Sequence, residues 1–299
     1  MPYEERSLPR TLANLARMLF WVVLLVIVVQ QIRGASRLDD ARAAALERFQ
    51  RQRKSRAIAM IHREETVSLF GVPVSHYIDI DDSEAVLRAI RLTPPDQPID
   101  LVLHTPGGLV LAAEQIAHAL AEHKGRKTVF VPHYAMSGGT LIALIADEIV
   151  MDPNAVLGPV DPQIGDLPAA SIVKLVGLKP KERIGDEMLI LADVAAKARA
   201  QVASFVAEEL LLHQPREKAL ALAEALSDGR WTHDFPLTVE RVRALGLPVS
   251  TDMPPVLYDL MDLYPQANAQ RPSVLYVPIR RPIAPQVLPA GTAPGPTAK

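Results

Sequence analysis

The chain has no cysteine in its 299 residues, and that one absence removes disulfides, a thiolate nucleophile and cysteine-ligated zinc together. It leaves the compartment open, because a cysteine-free chain is viable on either side of a membrane. An excess of charge of one sign is also missing. With 32 Lys and Arg against 34 Asp and Glu, the net charge is −2, so no nucleic-acid partner is expected. There is no internal repeat and no Walker or Rossmann glycine pattern. His62-Arg63-Glu64-Glu65 lacks the second histidine of a zinc-protease helix and falls on a predicted strand, so neither a metal nor a cofactor is expected.

Near the N-terminus lies an unbroken apolar run, Met18 to Val29, bounded by Arg17 and Arg33. Extended through Leu12 and Ile32 it reaches roughly twenty residues, the length that spans a bilayer, with Arg17 able to snorkel and Trp21 near an interface. A cleaved signal peptide is the alternative. Against it, Ile32-Arg33-Gly34-Ala35 puts an arginine where a small-residue cleavage site would lie. The expectation is an N-terminal tail at 1–11 and a retained single-pass anchor at 12–33. Arg6, Arg10 and Arg17 precede the run, while Arg33, Arg37, Arg42, Arg48, Arg51, Arg53, Lys54 and Arg56 follow it. That excess places the bulk of the chain in the cytoplasm by the positive-inside bias. Residues 34–56 read as a basic juxtamembrane helix, since Leu38 to Arg56 has neither Gly nor Pro. Its arginines either touch anionic head groups or form surface pairs with Asp40 and Glu47 on a solvated face.

From Ala57 the pattern changes to short β-like runs alternating with helical periods. AIAMIH and VSHYIDI precede a helix opened by Asp82-Ser83; a strand at 98–105, a helix at 109–122, a strand at 128–132 and a strand at 148–151 follow. This alternation predicts an α/β domain over 57–280 with a mostly parallel sheet. Asp186 to Leu212 is the longest helical stretch after the anchor region. A second helix starts at Pro215 and runs to Ser227, TVERVRALGLPV ends the core, and SVLYVPI is one more strand. The Pro- and Ala-rich tail 281–299 has too little to bury and is expected to be disordered.

Two glycine turns carry the chemistry. Ser137 is followed by Gly138, Gly139 and an apolar run, so it is predicted to sit where a strand turns into a helix, beside outward-pointing backbone N–H groups. Pro106-Gly107-Gly108 closes the strand before it in the same way. Side by side, the turns form an oxyanion hole from the amides of Gly108 and Gly138, with a serine next to it. Gly107 and Gly139 would form the edge along which an extended peptide binds. His104 and His133 are near these turns and read as strand-end histidines; Asp161 and Gln163 in GPVDPQ either orient substrate or fix a proline-flanked turn.

HTPGGLVLAAEQIAHAL followed by AMSGGTLIALIADEIVM resembles the Clp-protease/crotonase superfamily, and within it the serine-dehydrogenase-proteinase family of membrane-associated Clp-fold serine proteases. The resemblance runs from about Arg56 to Pro254 and includes VLGPVDPQIG and LILADVAAKA. It implies a transmembrane helix followed by a spiral of repeated β-β-α units, a serine endopeptidase activity on peptide or protein substrates, and a homo-oligomer. The soluble Clp peptidase has a histidine about twenty-five residues after its serine, yet none occurs here between His133 and His213. The resemblance to signal-peptide-peptidase-type relatives suggests a serine-lysine dyad instead. Of Lys174, Lys179, Lys181, Lys197 and Lys218, Lys197 is set among small apolar residues, where desolvation would free a neutral amine to act as base. Its plain alternative is a surface lysine paired with Asp193 one turn earlier. Lys174, Lys179 and Lys181 share a segment broken by Gly177 and Pro180 that reads as a loop near the cleft mouth, and one of them is the reserve candidate for the base. Two rival functions stay open: a crotonase-type acyl-CoA enzyme, and a catalytically silent membrane scaffold of the same fold.

Overall fold

The computed structural model of the chain describes residues 10–63, 65–67, 72–74, 76–210 and 215–264. In chain order the elements are helix α1 (Arg10–Arg53), strands β1 (Arg56–Ile61), β2 (Glu65–Val67) and β3 (Val72–Val74), α2 (Ile80–Arg91), β4 (Ile99–His104), α3 (Val110–Ala121), β5 (Lys127–Val131), β6 (Tyr134–Ala135), α4 (Gly138–Ala143), β7 (Glu148–Met151) and β8 (Val156–Leu157). They continue through β9 (Gln163–Ile164), β10 (Leu167–Pro168), α5 (Ala169–Leu178), α6 (Asp186–Leu210), α7 (Arg216–Ser227), β11 (Leu237–Thr238), α8 (Val239–Ala244), β12 (Val249–Ser250) and α9 (Pro255–Asp262). The strand SVLYVPI, the N-terminal tail and the Pro- and Ala-rich tail lie outside the described residues, apart from Arg10 and Thr11 at the start of α1.

Five parallel strands in the order β1-β4-β5-β7-β12 form the main sheet. The near-continuous apolar runs of β4 and β5 fit this position, because a parallel sheet is covered on both faces and its central strands are buried throughout. One face packs Ile58, Leu101, Leu103, Val129 and Val131 against α2, α3 and α4. The other packs Val102, Phe130 and Val150 against the end of α1 and α9. A smaller sheet, β11-β8-β6, has β6 parallel and β11 antiparallel to β8.

Several boundaries differ from the sequence expectation. Helix α2 starts at Ile80, because Asp79 and Asp82 close a reciprocal capping box that moves the start ahead of Asp82-Ser83. Lys174 lies inside α5 and not in a loop. The expected anchor and juxtamembrane helix are one continuous helix, α1, with no break at Gly34. Within α1, Leu12–Gln30 has a mean hydropathy of 2.4 and none of it is buried. The basic end of α1 follows the surface-pair reading only in part. Arg51 pairs with Glu47 on the surface, whereas Arg53 donates to the buried Asp100 at 2.8 Å and Arg42 Nε donates to the Leu263 carbonyl at 3.0 Å. Those two arginines dock the helix onto the domain, so they are not available to a lipid surface.

Candidate active site

Strands β1, β4 and β5 all end on the same side of the main sheet, and the two glycine turns leave from there. After His104, the Thr105 N–H donates to the Tyr134 carbonyl at 3.2 Å and the Met136 N–H donates to the Thr105 carbonyl at 3.0 Å. These bonds fix the two turns against each other. A methyl group on Gly107 would stand 2.8 Å from the Ser137 Cβ and 3.4 Å from the Gly138 nitrogen. One on Gly138 would stand 3.7 Å from the Gly108 nitrogen. Serine, turn and amides are therefore brought together as the sequence pattern predicts.

Ser137 caps α4 with φ 51° and ψ −117°. A non-glycine residue in that region is strained, and such strain persists where the surrounding structure over-determines it. The turn lifts the serine out of the helix, half-buried, and among the described residues its hydroxyl has no hydrogen-bond partner. The Gly108 amide is aimed by planarity. Its peptide unit carries the Gly107 carbonyl on the opposite edge, and that carbonyl accepts the Ile78 N–H at 2.8 Å. Ile78 thereby turns the Gly108 N–H away from itself, toward the Gly138 side. Glycine is required there, because a Cβ on Gly108 would fall 2.3 Å from the Ile78 carbonyl oxygen. Neither the Gly108 nor the Gly138 amide has an acceptor among the described residues. Gly139 differs: it is buried and its amide donates to the Met136 carbonyl at 2.7 Å, so it closes the turn and presents no N–H to a peptide.

The lysines do not converge on this point. Lys197 is on the exposed face of α6, with 69% of its side chain accessible and its ammonium 2.5 Å from Asp193. The desolvation asked of it is therefore absent from the protomer. Lys174, Lys179 and Lys218 are exposed as well, and the side chain of Lys181 lies outside the described residues. Among the described residues the buried lysine is Lys127, which begins β5 at the far end of the sheet and donates to the His123 carbonyl at 3.2 Å.

Two histidine networks escaped the sequence reading. In the first, His233 Nδ1 is 2.9 Å from Asp161 Oδ1, and Gln163 Nε2 donates to Asp161 Oδ2 at 2.7 Å. Asp161 is buried, with 1% of its side chain exposed, whereas His233 retains 35%. Strand direction relates this pair to the serine. The chain after Ala135, the chain after Leu157 and the chain before Leu237 all leave the small sheet at one end, carrying Ser137, Asp161 and His233 respectively. In the second, buried His62 joins Asp82 at 3.1 Å to the Thr105 hydroxyl at 2.8 Å. His104, one residue before Thr105, is fully buried with neither ring nitrogen partnered. Burial, then the charge of Arg63 and the neighbouring His133 and His62, pushes it down to about 3. It stacks near His133 and Tyr134, away from any proton-transfer role at neutral pH.

Beyond Gly108, an open groove between the start of α3 and α6 is lined by Val110, Leu111, Pro162, Gln163 and Phe205, with Glu114 on its wall. Burial raises the Glu114 carboxyl.

The profile of the ClpP-like SDH-type serine proteinase family matches residues 7–286. Two uncharacterized proteins of Methanocaldococcus jannaschii are similar over most of their length. One is 55% identical, covering 80% of this chain and 81% of the relative. The other is 51% identical, covering 88% and 92%. Among solved structures, ClpP1 from Listeria monocytogenes is 17% identical and aligns over 69% of this chain and 96% of that one, with a TM-score of 0.42.

Proposed function

The chain belongs to the ClpP-like SDH-type serine proteinase family, and on that premise we propose that it is a membrane-anchored serine endopeptidase with Ser137 as nucleophile. Its fold is ClpP-like α/β, and serine proteolysis is the activity of the family. The observation that carries the residue assignment is the strained, unpartnered Ser137 next to two amides without acceptors. Ser137 Oγ attacks the scissile carbonyl, its proton passes to a base, and the tetrahedral oxyanion is held by the Gly108 and Gly138 N–H groups. The proton is then returned to the leaving amine. An extended substrate lies along the Gly107-Gly108 edge, with an apolar side chain entering the groove of Val110, Leu111 and Phe205. This chemistry requires no metal and no cofactor.

For the base, the lysine version needs Lys197 to leave Asp193 and become desolvated, through substrate or through a second subunit of a homo-oligomer. A histidine version is favoured by a specific observation. Asp161 holds His233 Nδ1, so the tautomer is fixed and Nε2 is left free at the end of the small sheet from which Ser137 also departs. The proposed domain layout is an anchor within 12–33, helix α1 continuing to Arg53 and a protease domain to 280, with the protease on the cytoplasmic face. The apolar, unburied window Leu12–Gln30 supports the anchor.

Labelling of the detergent-solubilised full chain with a fluorophosphonate tests the reading. A covalent adduct at Ser137, with peptide hydrolysis lost in step, is expected. Retention on a coenzyme-A matrix without labelling would instead support the acyl-CoA enzyme, and neither result would leave the scaffold. Carbonate washing should keep the full chain in the membrane pellet, and protease added to intact cells should spare the domain.

A further inference from the structure

We infer that His62, held by Asp82, is a positioning residue for the oxyanion hole and acts through the hydroxyl of Thr105; the inference rests on the serine-protease reading of the site. The chain of contacts is continuous. Asp82 Oδ2 lies 3.1 Å from His62 Nε2, His62 Nδ1 lies 2.8 Å from Thr105 Oγ1, and Thr105 Oγ1 accepts the Gly107 N–H at 3.2 Å. His62 and Thr105 are buried.

Donor counting fixes the direction of these bonds. A carboxylate only accepts, so His62 Nε2 carries the hydrogen toward Asp82. In the neutral ring Nδ1 is then the acceptor, and the Thr105 hydroxyl donates to it at 2.8 Å in preference to its other acceptor, the Gly107 carbonyl at 3.4 Å. A hydroxyl that donates is a better acceptor for its next partner, so the alignment strengthens the hold on the Gly107 N–H. The same carboxylate oxygen accepts the Asp79 N–H at 3.0 Å, next to Ile78, which clamps the following peptide unit through the Gly107 carbonyl. Two successive peptide planes of the Pro106-Gly107-Gly108 turn are thus held by separate partners. One is held by Ile78 through its backbone, the other by His62 through Thr105. The second clamp is the one made of exchangeable side chains. Removing the Thr105 hydroxyl frees the Pro106-Gly107 peptide, and the Gly108 amide loses the aim that makes it useful to a transition state more than to a bound substrate.

The test uses the full chain in detergent and the saturation kinetics of Ser137 phosphonylation by a rhodamine fluorophosphonate, in which the phosphoryl oxygen occupies the oxyanion position. Thr105→Val should lower the maximal rate about tenfold or more with the half-saturating concentration little changed. Thr105→Ser, which keeps Oγ1, should stay within about twofold of the parent. Asp82→Asn leaves Thr105 in place and exchanges the carboxylate that orients His62 for an amide whose one oxygen is a weaker, uncharged acceptor, so it should fall between the two and serves if Thr105→Val does not fold. Normal maximal rates in a folded Thr105→Val, or in Asp82→Asn when the valine variant cannot be folded, overturn the inference while leaving the protease reading intact. Labelling that persists in Ser137→Ala overturns the protease reading, and the positioning role with it.

Discussion

The two halves of the site are built from different materials. The proposed oxyanion half consists of backbone: two glycine turns cross-linked by the Thr105–Tyr134 and Met136–Thr105 bonds and clamped by Ile78. The proton-transfer half consists of side chains on later elements. Lys197 is on an exposed helix face, and His233 is on a loop tied to Asp161. A backbone donor costs no reorganisation when charge develops, and its position is set by the fold; a base must be carried in by a separate element. The proposed oxyanion half is therefore assembled within one chain, whereas the proposed base has two versions.

The sharpest break of this contrast is Ser137→Ala, which removes the atom both halves serve. Peptide hydrolysis should fall by about four orders of magnitude or more, read as steady-state turnover, with the melting temperature nearly unchanged. Next is Gly108→Pro. It deletes one amide and imposes φ near −65° where the chain has φ 158°, so turnover should drop by about two to three orders of magnitude. A folded variant with near-normal turnover would move the donor elsewhere. The base is decided by a pair. His233→Gln should lower turnover about a hundredfold. Lys197→Met should leave turnover within about twofold and stability within roughly 0.5 kcal/mol, as for an exposed pair. The reverse result assigns the base to Lys197 in an assembled state.

The last effect is on stability and concerns His104, the buried residue that ends β4 before the first glycine turn. Its folded pKa of about 3 lies below its unfolded value of 6.5. Below pH 6.5 the unfolded chain takes up a proton that the native state refuses, so stability is lost as pH falls toward 3 and is unaffected above 6.5. His104→Leu should remove that loss, raising the melting temperature more at pH 5 than at pH 7.5. Equal shifts at both values would contradict the assignment.

The legible part of the site was the local part. Ser137-Gly138-Gly139 and Pro106-Gly107-Gly108 are short, and glycine before an apolar run has a direct backbone meaning. The α/β alternation was visible for the same reason, since period and turn residues lie within a few positions of one another. The base was not legible. Lys197 among small residues looked desolvated, but α6 leaves that face uncovered, and a sequence window cannot tell which side of a helix meets another element. His233 and Asp161 are 72 positions apart, and only the pairing of β11 with β8 brings them together. The junction at Gly34 was read as a boundary because composition changes there. Composition sets which solvent a helix prefers, and the backbone continues through the change.

That continuity gives the molecule a ruler. Helix α1 leaves its apolar window at Gln30 and is fastened to the domain at Arg42, about 18 Å further on at the rise of an α-helix. With the window seated in a bilayer, as proposed, Arg42 and the domain it fastens stand a fixed, short distance from the lipid on a rod instead of a tether. A polypeptide would then be cut according to how far along its length it emerges from the membrane plane, so distance along the chain would select the bond before any side-chain pocket does.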